Sequence, residues 1–294
     1  RFLKTAAGTA GFLAVMPCLN AEEALTNAKP LKVGLVGCGG RGLGAMKNAL
    51  DADPGTIAWA LADVFQERID FGAKLLAEQY GNRARLDRSR LFSGLDSYKR
   101  LLQTDIDVVL LCTPPAFRPE HLAAAVDASK HIYAEKPVAV DVPGVLSVLE
   151  SARLAKLKNL VILDGFCWRY DKANEEAHRK LSSGQLGRVL SFDGLYYTTP
   201  PKSPLALDSR PSSDTDVAWA LRNWTAWNWL SGGQFVEQIV HTIDGMVWSM
   251  NEQLPLAAFG SGGRAQRRDD GDVWDHYDVY FEYGHNVTAH ISCR

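Results

Sequence analysis

The sequence predicts an α/β protein in which a doubly wound parallel sheet is followed by a second domain. Apolar strands alternate with helical stretches from Leu31 to about Asp164, as in doubly wound sheets. Beyond residue 164 the pattern changes, and the segments 255–263, 273–284 and 286–293 alternate like antiparallel strands. With 294 residues, of which 46% are hydrophobic, the chain can bury a large core and fill two domains.

The N-terminal elements follow from this alternation. Short apolar runs bounded by turn residues predict strands, and longer amphipathic runs predict the helices between them. Strands are predicted at 31–36, 56–62, 106–112, 131–134 and 160–164. Helices are predicted at 42–51, 65–79, 95–103, 118–129 and 142–157.

Charge and cysteine content exclude several classes of protein. The net charge is -2, and the only basic cluster, Arg264 to Arg268, is followed at once by two aspartates, which predicts a solvated loop. These features argue against nucleic acid or an anionic membrane surface as the main partner. The cysteines show no paired spacing, so small buried thiols are expected rather than disulfides or metal ligands. They are Cys18, Cys38, Cys112, Cys167 and Cys293.

Residues 1–28 are predicted to precede the fold. RFLK is followed by a short apolar run of small residues and then by a polar stretch, an order typical of an export signal, and the run is too short to span a membrane. The segment resembles a twin-arginine signal that lacks its first arginine, which predicts a periplasmic or otherwise exported protein. An unstructured extension is the alternative. The predicted units are 1–28, a nucleotide-binding domain over 29–164 and a second domain over 165–294.

The stretch Leu31 to Gly42, LKVGLVGCGGRG, joins the first strand to the first helix. Its glycines form a G-x-G-x-x-G pattern, which permits a tight turn and a close approach of backbone N–H groups to a pyrophosphate. Asp63 ends the second strand 21 residues past Gly42, near the spacing of a carboxylate that binds the adenosine ribose. We predict a dinucleotide site whose phosphate loop comprises Gly37, Cys38, Gly39, Gly40, Arg41 and Gly42.

The predicted cofactor is NAD. Asp63 would repel the 2′-phosphate of NADP, and no arginine follows it immediately. Arg68, one turn into the next helix, keeps NADP as the alternative.

Two further strand ends carry chemistry at the same edge of the sheet, where such folds bind ligands. One strand runs into Thr113 and Pro114, and the next ends in Glu135-Lys136-Pro137. Lysine and glutamate are rarely buried without a purpose, so this pair is interpreted as functional.

The C-terminal half is predicted to contain a helix at about 171–183, a strand at Arg188–Thr198 and a long functional or mobile excursion at 199–216. Val217–Leu230 carries four tryptophans, for which a core or subunit contact is favoured over stacking on sugar rings.

A helix follows in which Glu237, His241 and Asp244 share one face. A carboxylate one turn from a histidine can set its tautomer and raise its basicity, as a general base requires. An ordinary helix pair is the alternative. A metal site with Glu237, His241 and His276 has no diagnostic spacing, so no metal is predicted.

The glycine loop, the Glu135-Lys136-Pro137 strand end and the Glu237…His241…Asp244 helix together resemble the glucose-fructose oxidoreductase, inositol dehydrogenase and MocA (Gfo/Idh/MocA) family. The resemblance implies a Rossmann domain and a C-terminal α/β domain with an open, mainly antiparallel sheet, whose face often forms a homo-oligomer contact. The family's chains commonly run past the point where this one ends, so a fragment is expected.

The resemblance also implies residue roles. Lys136 would contact the reacting hydroxyl, and His241 would be the acid/base residue, with Glu237 where many members have aspartate. Thr113, Pro114 and Glu135 would line the cofactor site. The implied substrate residues are Lys136, Arg169, Tyr170, His241 and Asp244.

The leading functional hypothesis is an NAD(P)-dependent oxidoreductase acting on a carbohydrate or cyclic polyol. One alternative is an NAD-dependent glycosidase that works by transient oxidation and elimination. The other is a non-catalytic, NAD-binding sugar sensor.

Overall fold

The computed structural model describes residues 29–199 and 204–294, so the predicted export segment and part of the predicted excursion at 199–216 lie outside the described residues. The N-terminal sheet has six parallel strands in the order β3-β2-β1-β4-β5-β6. This order confirms the predicted doubly wound sheet, because it reverses direction between β1 and β4. The strands are β1 (Leu31–Val36), β2 (Thr56–Asp63), β3 (Leu91–Ser93), β4 (Val108–Leu111), β5 (His131–Ala134) and β6 (Ile162–Asp164).

Helices cover both faces of this sheet. Leu35, Met46 and Leu61 belong to one fully buried core, and Leu111 and Leu122 belong to the other. The helices are α1 (Gly40–Ala52), α2 (Gln66–Tyr80), α3 (Ser97–Leu102), α4 (Arg118–Asp127) and α5 (Val142–Leu157). Because the strands are buried on both faces, they are apolar along their length, which is why the pattern located them well.

The second sheet has four strands in the order β7-β10-β9-β8. They are β7 (Ser191–Tyr196), β8 (Ala257–Gly263), β9 (His276–Tyr283) and β10 (Val287–Cys293). β10 pairs antiparallel with β9, and β9 with β8, whereas β7 runs parallel to β10. The sheet is therefore mixed and mainly antiparallel, as predicted, although β7 is shorter than the predicted strand at Arg188–Thr198.

The remaining helices are α6 (Lys172–Ser182), α7 (Asp216–Arg222), α8 (Asn228–Ser231) and α9 (Val240–Ser249), with a π-helical turn at Phe235–Ile239 before α9. Met246 of α9 and Ile291 of β10 share one buried core, so α9 covers one face of the second sheet. Short 3₁₀ turns occur at Gly81–Arg83, Arg88–Arg90, Pro115–Phe117, Cys167–Tyr170, Leu207–Ser209, Trp224–Ala226 and Gly284–Asn286.

The tryptophan-rich segment packs against the nucleotide-binding half. Trp219 is buried, and Trp224 and Trp227 pack on a cluster that contains Phe65 of the nucleotide-binding half. Most of the segment is therefore core, as favoured from the sequence, although Trp229 is half exposed.

The prediction of buried thiols is confirmed for some of the cysteines. Cys38 and Cys293 are buried, Cys112 is half-buried and Cys167 is exposed, and all four are free. Cys18 lies outside the described residues. In the described part of the chain no helix has the length and apolar character needed to cross a membrane.

Candidate active site

The glycine loop forms the turn between β1 and α1 that the sequence predicts. Gly37 has a φ of +99°, and a Cβ there would lie 2.7 Å from the carbonyl of Cys112. A Cβ on Gly42 would lie 1.8 Å from the Gly37 carbonyl oxygen, so a larger residue would force α1 away from β1. Gly39 caps α1 without a side-chain hydrogen bond, and a Cβ on Gly39 or Gly40 would meet nothing within 4 Å among the described residues. The first N–H groups of α1 are therefore uncapped beside open space, as a pyrophosphate site requires.

Asp63 is buried at the end of β2, next to this turn. One carboxylate oxygen accepts the N–H of Cys38 at 2.7 Å, and the other accepts the N–H of Phe65 at 3.0 Å. The Arg68 guanidinium lies 3.9 Å from the second oxygen. The carboxylate is thus fixed beside the glycine loop. Arg68, the residue that keeps NADP as the alternative cofactor, lies close to it.

Glu135 is buried at the end of β5, and its carboxylate is tied to the glycine loop. Its Oε1 atom accepts a hydrogen bond from Arg41 Nε at 2.6 Å and another from the Tyr133 hydroxyl at 2.8 Å. Arg41 belongs to the glycine loop, so this ion pair connects the loop to the strand end that carries Lys136.

A cavity of about 530 Å³, here called the nucleotide cavity, lies against these strand ends. Its volume is within the range of cofactor sites. Nine of the ten predicted cofactor residues line it; Cys38 does not, because its thiol is buried against the Ala62 carbonyl. The cavity is also lined by Arg68, Arg118, His121, Lys136, Thr225, Glu237 and Gln238.

Lys136 and Glu237 form a largely buried ion pair in the wall of the nucleotide cavity. Lys136 Nζ donates to Glu237 Oε1 at 3.0 Å and also to the Glu237 backbone carbonyl. The Lys136–Pro137 peptide bond is cis. Burial raises the pKa of Glu237, while the positive charges of Lys136 and Arg118 oppose that shift. Glu237 Oε2 is buried without a hydrogen-bond partner among the described residues, so the carboxylate keeps a free acceptor.

The predicted pairing of Glu237 with His241 is wrong. The prediction assumed a continuous α-helix, but residues Phe235–Ile239 form a π-helical turn and the α-helix starts at Val240. A π-turn breaks the i, i+4 alignment of side chains. Glu237 consequently contacts Lys136, and His241 Nδ1 is buried with no hydrogen-bond partner in the described part of the chain.

His241 packs against aromatic rings instead. Its ring stacks on Trp168 at 5.0 Å and meets the edge of Phe166 at 6.1 Å. Burial lowers the pKa of His241 to about 4, and the charge of Lys136 adds to the effect. The ring is therefore neutral at pH 7, and its basicity is lowered rather than raised as predicted. His241 does not line either cavity described here, and its acid/base role stays a prediction.

Besides His241, three further predicted substrate residues lie outside both cavities: Arg169, Tyr170 and Asp244. Arg169 donates to both oxygens of Asp244 at 2.8–3.0 Å and also to Glu252, so these side chains satisfy one another. Tyr170 is exposed. The geometry therefore gives Arg169 and Asp244 a structural contact between the 167–170 turn and α9, and it does not support direct substrate contact by any of the three.

Arg118 is a site residue that sequence reasoning missed. It is completely buried and donates to the backbone carbonyls of Thr113 and Pro137, which follow β4 and β5. Its Nε has no partner among residues 29–199 and 204–294, and burial lowers its pKa. Arg118 therefore ties together the two strand-end segments that border the nucleotide cavity, and it places a positive charge near Glu237. An arginine at the first position of a helix gives no sequence signal for such burial.

A second cavity, of about 880 Å³ and here called the C-terminal cavity, adjoins the first. Thr225, Glu237 and Gln238 line both. Residues 265–268 form part of its wall. The Arg264–Arg268 segment is a loop in which Ala265, Gln266 and Arg268 are exposed, so the prediction of a solvated loop is confirmed except at Arg267, whose side chain is largely buried. Other residues that line this cavity include Pro204, Leu205, Ala206, Leu207, Asp269, Asp270, Val273, Asp275 and His276.

The alternative metal site is not assembled among the described residues, where no three His, Cys, Asp or Glu side chains gather as ligands. His276 pairs with Asp275 at 2.9 Å, and Glu237 is engaged by Lys136.

The residues present fit a dinucleotide. Uncapped N–H groups at the start of α1 suit the phosphates, and the fixed Asp63 carboxylate suits the ribose hydroxyls. The fold and this site define a dinucleotide-binding protein with a Rossmann domain. Residues 31–162 match the "Oxidoreductase family, NAD-binding Rossmann fold", and residues 174–294 match the "GFO/IDH/MocA C-terminal domain". The chain belongs to the Gfo/Idh/MocA family of oxidoreductases, and its cofactor is a nicotinamide dinucleotide.

Two curated relatives and one solved structure illustrate the similarity. The dTDP-3,4-didehydro-2,6-dideoxy-α-D-glucose 3-reductase of Actinomadura kijaniata is 28% identical over 177 residues, covering 60% of this chain and 48% of that protein. The inositol 2-dehydrogenase of Salmonella paratyphi B is 25% identical over 227 residues, covering 76% and 55%. GenD2 from gentamicin A biosynthesis, solved with NAD, superposes with a TM-score of 0.68 at 22% identity over 90% of this chain and 66% of that one. The chain spans about half the length of these curated relatives.

Cofactor preference should depend on Asp63. We expect the protein to bind NAD at least about tenfold more tightly than NADP, because a 2′-phosphate would meet the buried carboxylate. Asp63→Asn keeps the shape of the side chain and removes its charge, so it should reduce the ratio of NAD affinity to NADP affinity. Arg68→Gln should weaken NADP binding further and so increase that ratio. Fluorescence titration with both cofactors measures the three ratios. Tighter NADP binding by the unmodified protein would contradict the assignment.

Stability should fall as the pH falls below about 6.5, in part because of His121. Burial lowers the pKa of His121 to about 3, and Arg118 adds to the effect; Thr113 Oγ1 lies 3.1 Å from its Nδ1. Between the unfolded pKa of about 6.5 and the folded value, only the unfolded chain binds this proton. The free energy of unfolding therefore decreases by about 1.4 kcal/mol per pH unit on acidification.

Urea unfolding at pH 7 and pH 5 tests this effect. The unmodified protein should lose about 2 kcal/mol more than His121→Gln over that interval. The control is His285→Asn, which changes an exposed histidine at a positive φ that asparagine also adopts, and it should keep the original pH dependence. Equal losses in all three proteins would contradict the role of His121.

Proposed function

We propose that this protein is an NAD(P)-dependent oxidoreductase that acts on a hydroxyl-bearing carbon of a sugar or cyclic polyol. The observation that carries the proposal is the Lys136–Glu237 pair, because Glu237 lines both cavities and Lys136 lines the nucleotide cavity. A substrate in the C-terminal cavity would therefore reach a proton-handling pair at the wall of the cofactor site. The activities of the relatives, a sugar-nucleotide reductase and an inositol dehydrogenase, support the same substrate class.

The chain's contribution is to hold the substrate and manage a proton. When bound, the nicotinamide supplies the hydride acceptor or donor. Lys136 Nζ would donate a hydrogen bond to the reacting oxygen, and Glu237 Oε2, which has no hydrogen-bond partner among the described residues, would accept its proton. Burial raises the pKa of Glu237 and so makes its carboxylate a stronger proton acceptor, while the positive charge of Lys136 opposes the rise. The buried position of the pair limits access of bulk water.

Two further expectations accompany this proposal. Export through the predicted signal in residues 1–28 is one of them, and secretion of a fusion carrying that segment tests it. Assembly through the second sheet is the other. The outer face of that sheet exposes Leu195, Phe259 and Tyr280, which supports a homo-oligomer, and light scattering of the purified protein measures the subunit number.

The direct test is an assay of the purified protein with NAD and a panel of inositols, hexoses and nitrophenyl glycosides, with NADH and nitrophenol followed separately. Formation of NADH with a sugar or polyol supports the proposal. Nitrophenol release without a net change in NADH would instead assign the redox-neutral glycosidase. Binding of NAD and sugar with neither product would assign a sensor.

A further inference from the structure

The wall of the C-terminal cavity has two chemically different sides. One side is aliphatic and comprises Pro204, Leu205, Ala206 and Leu207 with Val273. The other side is the 265–270 loop, with the Arg267 side chain largely buried. The cavity, at about 880 Å³, is larger than the nucleotide cavity and belongs to the upper part of the range for drug-sized ligands. A single hexose or inositol is considerably smaller than such a ligand.

Three residues that line this cavity each have a buried polar atom without a hydrogen-bond partner among the described residues. The atoms are Glu237 Oε2, Thr225 Oγ1 and Arg267 Nη2. Thr225 and Glu237 also line the nucleotide cavity, so Arg267 is the one of the three that lines the C-terminal cavity alone. Buried polar atoms in folded proteins are nearly always hydrogen-bonded, so these atoms indicate a ligand that satisfies them. That ligand must donate to a carboxylate, bond to a hydroxyl and accept from a guanidinium. Hydroxyl groups can do all three.

Arg267 is held in place before any ligand arrives. Its Nε donates to Asp269 at 2.8 Å, and the loop around it is fixed by Asp275, whose carboxylate accepts the N–H groups of Ala265, Gln266 and Arg267. A preorganised donor loses little entropy on binding. Arg267 Nη2 is therefore suited to donate to a ligand oxygen beside the 265–270 loop, which lines the C-terminal cavity and not the nucleotide cavity.

The charges around the cavity select against an anionic ligand. Three arginines line the cavity together with four carboxylates, so the negative charges exceed the positive ones by one; they are Arg267, Arg268 and Arg294, and Asp269, Asp270, Asp275 and Glu237. A diphosphate would meet these carboxylates. A neutral second sugar ring fits both sides of the wall, because its C–H face can pack on Leu205 and Leu207 while its hydroxyl oxygens accept from Arg267.

We propose that the C-terminal cavity is a two-ring site for a neutral disaccharide. The reacting ring lies against Glu237 and Thr225, and the second ring lies between Arg267 and the aliphatic segment Pro204–Leu207. The assignment of the reacting ring rests on the proposed function, whereas the second-ring contacts stand on the cavity alone.

Calorimetric titration of the NAD-saturated protein tests the second-ring contacts. The probes are glucose and myo-inositol, the disaccharides cellobiose, maltose, lactose and sucrose, and UDP-glucose and phenyl glucoside. At least one disaccharide should bind about tenfold more tightly than either monocyclic probe. Arg267→Gln should weaken that disaccharide about tenfold while glucose affinity changes less than about twofold, because only the second ring loses a charged donor.

Two further variants complete the test. Leu207→Ser alters an exposed residue of the aliphatic side and should also weaken the disaccharide selectively. Arg188→Gln, the matched control, changes an exposed arginine that lines neither cavity and should leave both affinities unchanged. A disaccharide preference that survives both Arg267→Gln and Leu207→Ser would overturn the second-ring assignment, as would tighter binding of UDP-glucose or phenyl glucoside.

The same samples separate this inference from the proposed function. If NADH forms with monocyclic sugars but no disaccharide binds more tightly, the two-ring site is wrong and the oxidoreductase stands. If a disaccharide binds in an Arg267-dependent manner but no probe yields NADH, the two-ring site stands and the oxidoreductase assignment fails.

Discussion

Replacing Lys136 by methionine is expected to lower kcat/KM at least about 10³-fold while changing the NAD dissociation constant less than about twofold. Lys136 Nζ donates to the carboxylate that carries the free acceptor, and its loss leaves Glu237 buried without this counter-charge. Burial then raises the pKa of Glu237 without opposition from Lys136, which favours the protonated form that cannot accept a proton. Steady-state kinetics with the best substrate of the sugar panel, together with an NAD titration, measure both quantities.

The pair should behave as a unit. Glu237→Gln alone and the double variant Lys136→Met/Glu237→Gln should each lose about as much activity as Lys136→Met, because each change removes the same proton path. Lys74→Met alters an exposed lysine on α2 and serves as the control, with activity unchanged. Additive losses would show that the two residues act independently. Retention of activity within about tenfold in Lys136→Met would remove this residue from the mechanism.

Local sequence patterns predict the strands and the glycine turn of the N-terminal half, because neighbouring residues in the sequence determine these elements. The buried strands are short apolar runs, and Gly37 and Gly42 occupy positions where a side chain would collide with backbone, so residue type alone reports the geometry. The short edge strand Leu91–Ser93 escapes prediction, since three half-buried residues carry no period.

The sequence predicts several residues of the candidate site, but it does not predict which of them contact each other. The sequence identifies both Lys136 and Glu237, yet their contact joins residues 101 positions apart and cannot be read from spacing. The spacing of Glu237 and His241 suggests a pair only under α-helical geometry, and the π-helical turn redirects Glu237. Arg169 and Asp244 are both expected near the substrate, but they bond to each other rather than facing a cavity.

Arg118→Met is expected to lower the free energy of unfolding by about 2–4 kcal/mol, because the carbonyls of Thr113 and Pro137 lose their buried donor. Urea unfolding at pH 7 measures this loss. The variant should also show a kinetic change that a purely structural residue would not produce. Arg118 opposes the rise in the Glu237 pKa caused by burial, so its removal raises that pKa further.

The sign of the kinetic effect follows from the role of Glu237 as a proton acceptor. Activity is lost when the pH falls below the pKa of the acceptor, so a higher pKa moves the acid limb of the kcat/KM profile to higher pH. Arg118→Lys keeps the charge but cannot reach both carbonyls, and it should lower kcat/KM without moving that limb. Arg118→Met should do both. If both variants lose stability but keep the pH profile of the unmodified protein, Arg118 holds the strand ends together without influencing Glu237. In that case the charge on Lys136 alone opposes the rise in the Glu237 pKa that burial causes.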